Sequence, residues 1–163
     1  MRPSTPAEPS LSPARAILYG TLVVGSLDLL DALVFFGLRG IRLSSIPQAI
    51  AAGLLGKEAF RGGVPTIVLG TALHYFIAFS VVSFYFLLSR RIAFLVRWPV
   101  VCGVLYGIGV FGFMNLVVVP LSAAAGGAMK GPVLVNGLLI HMLGVGLPSA
   151  VFARKASVVQ VTP

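Results

Sequence analysis

Long apolar runs, interrupted by short basic clusters, divide the chain into four stretches long enough to cross a membrane. A spanning helix needs about 20 mostly apolar residues to cross ~30 Å of hydrocarbon. The first run covers 16–38, between Arg15 and Arg39, and the second covers 64–88, between Arg61 and the Arg90-Arg91 pair. The third covers 99–121, after Arg97, and the fourth covers 132–153, closed by Arg154-Lys155. The pattern predicts an all-α membrane fold: one four-transmembrane-helix bundle over residues 14–155. Residues 1–13, rich in proline and serine, read as a disordered tail. Residues 156–163 read as a short C-terminal tail. The first run exceeds the roughly 7–15 residues of a signal-peptide core and no Ala-x-Ala pattern follows it, so a retained helix is expected.

Residues 44–60 are too short and too interrupted to span. Ser44 or Ser45 would cap a helix with Pro47 in its first turn. Ile46, Ile50, Leu54 and Phe60 recur at roughly helical spacing, while Gln48, Lys57 and Glu58 are polar. This predicts a short amphipathic interfacial helix after the first span, or a shallow re-entrant turn. A partly ordered loop is the plainer alternative. The stretch 122–131, SAAAGGAMKG, reads as a flexible outer loop.

Composition agrees with the pattern. Of 163 residues 58% are apolar and only 10% charged, where a soluble domain carries roughly 25% charged residues. The mean hydropathy is +1.02. A chain this poor in charge cannot cover a water-facing surface, so the lipid bilayer is its expected partner. The net charge of +8 comes from clusters beside the apolar runs, which suits lipid headgroups and not nucleic acid. Cys102 is the only cysteine, so the chain has no internal disulfide and no cysteine-cluster metal site.

Orientation follows from the basic residues. With both termini cytoplasmic, that side holds Arg2, Arg15, Arg90, Arg91, Arg97, Arg154 and Lys155. The other side holds Arg39, Arg42, Lys57, Arg61 and Lys130. Tyr19, Tyr85 and Trp98 would lie at the same cytoplasmic interface. The expected arrangement is N-in and C-in.

Five polar residues fall inside the apolar runs: Asp28 and Asp31 in the first, His74 in the second, Asn115 in the third and His141 in the fourth. Ionisable groups at such depth cost roughly 2.5–3.5 kcal/mol on insertion scales, and they mark function by default. Counting along each helix at 1.5 Å per residue puts Asp28, His74 and His141 roughly 14 Å inside the outer boundary. Asp31 and Asn115 fall about a turn nearer the outside. Small residues flank them: Gly25 near Asp28, Gly70 and Ala78 about His74, Gly137 and Gly144 about His141. Small residues mark helix contacts in membranes, so the polar layer is expected to face inward. The Gly103/Gly107 pair gives the third helix a further face of this kind, and Gly-rich faces would also serve a homo-oligomer or a membrane-complex partner.

Three roles fit such a layer. It would bind a proton or small cation, with the aspartates supplying charge and the imidazoles titrating near neutrality. It would instead fix helix packing in a structural or accessory subunit. Or His74 and His141, on diagonal helices, would hold haem b or a metal ion, with Asp28 completing the metal. The chain contains no P-loop, GxSxG, HExxH or CxxC motif, so nothing in it argues for an enzyme. Pro120, Pro132 and Pro148 are expected to end or kink helices.

The stretches GLLGKEAFRGG (53–63), LHYFIAF (73–79), MNLVVVPLSA (114–123) and NGLLIHMLGVGLP (136–148) resemble a family of small bacterial four-helix inner-membrane proteins. More remotely the chain is similar to the YagU-like inner-membrane proteins. On that likeness His74, Pro120-Leu121 and His141 match family positions. Asn115 stands where those proteins carry another histidine, and their proline-proline-arginine segment is absent. The resemblance implies a bacterial inner-membrane location and, through an association with acid tolerance, proton handling.

Overall fold

The computed structural model describes residues 10–124 and 131–157. The expected tails at 1–9 and 158–163, and 125–130 of the expected outer loop, lie outside the described residues. Everything described is helix or connecting turn.

Helix α1 runs Pro13–Gly37. Ser12 caps it, its Oγ accepting from the Arg15 amide at 3.4 Å, and Pro13 fills a first-turn position that needs no amide hydrogen. Helix α2 spans Ser45–Leu55 and runs into a 3₁₀ turn at Gly56–Arg61. Helix α3 is Gly63–Ser89 and the short α4 is Phe94–Arg97. Helices α5 (Pro99–Leu121) and α6 (Pro132–Lys155) complete the chain. The helices α1, α3, α5 and α6 are long and apolar enough to cross a membrane.

Each of α5 and α6 contains one widened π turn, at Met114–Val118 and at His141–Gly146. Prolines lie just beyond both turns, at Pro120 and Pro148, within continuing helix.

Small residues set the helix contacts. Gly25 meets the Tyr75 ring, where a Cβ would come within 2.6 Å, and Gly20 meets Val82. Gly107 lies on the His141 carbonyl and Gly103 on Gly146, so α5 and α6 touch backbone to backbone. At the end carrying both chain termini, Ala16, Tyr85, Cys102, Ala150 and Ala153 form a closed core. Ser10 and Leu11 also bind the Lys155 carbonyl there, both at 3.1 Å, which ties residues expected in the tail to the end of α6.

Around the bundle, α3 packs on α1, α1 on α6, and α6 on α5. Helices α3 and α5 do not pack along their length. They meet through Tyr106, which donates to the Val81 carbonyl at 2.7 Å and sets its ring 4.9 Å from that of Tyr85. The ring is therefore sequential but open on one side.

Helix α2 does not present the face expected from hydrophobic periodicity. Gln48, placed on the polar side, is buried and donates to Thr66 Oγ1 at 3.2 Å. Leu54 and Phe60, placed on the apolar side, are 64% and 48% exposed. The buried face consists of Ile46, Pro47, Gln48, Ala51 and Ala52, and Gly70 of α3 lies directly on the Pro47 carbonyl. Small size, not apolar bulk, decides which side of α2 packs. Its far end is joined to α5, the Ala123 amide donating to the Gly53 carbonyl at 2.9 Å.

Candidate cation site

Three of the five polar residues converge. The Asp28 carboxylate lies between two imidazoles, its Oδ2 4.0 Å from His74 Nδ1 and its Oδ1 3.9 Å from His141 Nδ1. Helices α1, α3 and α6 supply one group each. His74 is buried, and the Asp28 side chain keeps 27% of its surface.

The backbone settles where the imidazole hydrogens are. His74 Nε2 lies 2.7 Å from the Gly25 carbonyl oxygen. A carbonyl only accepts, so Nε2 carries the hydrogen. The other ring nitrogen, Nδ1, is the one that faces Asp28. His141 Nδ1 lies 2.8 Å from the Gly137 carbonyl and donates to it for the same reason. Gly25 contributes twice: its carbonyl fixes His74, and its missing side chain admits the neighbouring Tyr75 ring. Phe111 sets its ring edge-on to His141, with centroids 5.4 Å apart, and covers Gly137.

Asp28 accepts no hydrogen bond of ordinary length among the described residues. Its distances of about 4 Å to the imidazole nitrogens exceed direct hydrogen bonding. With both rings neutral, the trio carries a single negative charge.

The trio opens into a half-enclosed cleft of about 530 Å³. Val24, Ile77, Val81, Val110 and Met114 line its walls, and Ala49, Ile50, Gly53 and Leu54 of α2 cover its end. Asn115 reaches the cleft, but its side-chain amide donates to the Phe111 carbonyl at 2.8 Å, at the π turn of α5. Ile77, Val81, Val110, Met114 and Val118 also line a second, neighbouring apolar groove of about 920 Å³ along the open side between α3 and α5.

Asp31 does not join the trio. Its Oδ2 accepts from Asn136 Nδ2 at 2.6 Å, a charge-assisted bond between α1 and α6. Asn136 was not singled out in the sequence, although an amide inside an apolar run is the same signal that marks Asn115.

For haem, His74 and His141 do flank a common centre, but the Asp28 carboxylate occupies it, and His74 Nε2 is held by Gly25. No group of three His, Cys, Asp or Glu among the described residues is close enough to hold a metal ion. The residues present do not fit either group. No family model, curated protein or solved structure matches the chain.

Proposed function

We propose that the chain is a multi-pass inner-membrane protein in which Asp28, His74 and His141 bind one proton or a small cation other than a metal ion. The observation that carries this reading is the convergence of one carboxylate and two imidazoles from three helices, at 4.0 and 3.9 Å, inside apolar runs. A carboxylate and an imidazole nitrogen at this distance share one positive charge or one proton between them. In apolar surroundings the lone charge is costly, and one bound cation neutralises it.

Other helices supply little competing charge. Helix α2 brings no titratable side chain to the cleft, and α5 brings only the neutral Asn115. Asp31, on α1 itself, is engaged by Asn136.

The N-in, C-in orientation in a bacterial inner membrane belongs to the same reading. Arg15, Arg90, Arg91, Arg97, Arg154 and Lys155 gather at the closed end of the bundle, against Arg39, Arg42, Lys57 and Arg61 at the other. The cleft then opens toward the outer face and the acyl chains, with its cytoplasmic end shut. A packing role suits Asp31–Asn136, joined by a direct hydrogen bond between α1 and α6, better than it suits Asp28.

Infrared difference spectroscopy of the full chain in lipid nanodiscs, between acid and alkaline buffer, tests the proposal. The expected result is a carboxylic-acid band that vanishes in Asp28→Asn. Identical spectra for the two proteins would overturn it.

A further inference from the structure

The cleft has a chemical polarity as well as a charge. Four side chains along it each donate one hydrogen bond to a backbone carbonyl. His74 Nε2 donates to Gly25, His141 Nδ1 to Gly137, Asn115 Nδ2 to Phe111 and Ser122 Oγ to Val119. The Asp28 carboxylate lines the space and accepts no hydrogen bond among the described residues, with His74 Nδ1 4.0 Å from it. A ligand with an anionic end, such as a carboxylate, meets that carboxylate and finds no arginine or lysine among the described residues. A ligand that donates and carries positive charge finds a charged acceptor.

The space also exceeds a proton's needs. The cleft and the neighbouring groove along the open side have the volume of an organic molecule's site, and their walls beyond the trio are aliphatic and aromatic. Neither arginine nor lysine lines either space among the described residues. A phosphate beside the positive group would therefore have no partner and would meet the Asp28 charge.

We infer that this cleft binds a free amphiphilic amine, a primary or secondary ammonium on a hydrocarbon or aromatic body, admitted sideways between α3 and α5. The ammonium occupies the gap between Asp28 and His74, and the body lies along Ile77, Val81, Val110 and Met114. The phosphoethanolamine headgroup of a lipid carries the same ammonium but is refused by its phosphate. The inference rests on the reading of Asp28 as a cation site and adds the class of cation. Ammonium and proton compete for one charge, so acid weakens amine binding.

The test uses the full chain in phosphatidylcholine nanodiscs, with radiolabelled decylammonium as probe and the same discs carrying Asp28→Asn to subtract partition into lipid. Saturable binding is expected, weakened about tenfold or more in the variant, displaced by unlabelled decylammonium and not by decanol. Gly109 lines the groove with open space at its Cβ position. Gly109→Phe should thus obstruct decylammonium while the Asp28 infrared band persists. Equal binding by wild type and Asp28→Asn, displacement by decanol, or displacement by added phosphatidylethanolamine would each overturn the amine site. An Asp28 band without amine binding removes this inference and leaves the proton site standing. Absence of both removes both.

Discussion

Asp28 and His74 Nδ1 face each other across 4.0 Å, beyond hydrogen-bond length, while the opposite nitrogen of the ring donates to the Gly25 carbonyl. Asp28 therefore adds little to the stability of the bundle. Asp28→Asn is expected to keep the wild-type unfolding temperature or raise it slightly, its effect staying within about 1 kcal/mol. A large loss of stability would reverse the assignment.

The Asp31–Asn136 pair should behave in the opposite way. Asn136→Leu removes the donor at 2.6 Å and leaves the carboxylate unpaired, which costs about 1.5–3 kcal/mol for a hydrogen bond to a charged group. Thermal unfolding in detergent would show the loss, and the double variant with Asp31→Leu should recover part of it. The Asp28 infrared band should be unmoved in both.

Backbone contact between α5 and α6 makes a sharp comparison possible. Gly107→Val drives a side chain into the His141 carbonyl, whereas Gly112 has nothing within 4 Å of its Cβ position. Overpacking of this kind costs about 1–3 kcal/mol or more. Gly107→Val is expected to melt well below wild type and Gly112→Val beside it, as read by circular dichroism.

Helix α2 is held to α3 through Gly70 and the Pro47 carbonyl. Gly70→Ala should lift it, so amide hydrogen exchange should rise across residues 45–55. Exchange near Ala150, in the closed core at the far end, should stay as in wild type. Uniform acceleration along the chain would mean that α2 is not a separable unit.

Topology is open to labelling. In a Cys102→Ala background, Lys57→Cys is expected to react with a membrane-impermeant maleimide added to intact cells. Arg91→Cys should react only after lysis. The reverse pattern would invert the proposed orientation.

The sequence made the four long helices legible because lipid-length apolar runs bounded by arginine leave few other readings. It also marked Asp28, His74 and His141, since charge inside such a run is costly and the spacing from each helix end put all three at one level. The partner of Asp31 was missed because Asn136 is neutral and sits near a helix start, where an amide draws less notice. Within α2, Gln48 was placed on the wrong side for a physical reason. Periodicity weighs apolar bulk, as it must in water, whereas the contact with α3 is made by Pro47 and Ala51 against Gly70, with Gln48 bonded inward to Thr66. Nor does a hydrophobicity pattern reveal the open side between α3 and α5, because a helix facing lipid and a helix facing a neighbour are equally apolar.

That open side is fastened twice. Tyr106 holds the Val81 carbonyl partway along it, and the Ala123 amide holds the Gly53 carbonyl where α2 crosses from α3 to α5. Such an aperture, pinned to main chain at two heights, has a gauge set chiefly by backbone spacing. Substitutions along its rim will reshape what passes through it while leaving its span nearly constant.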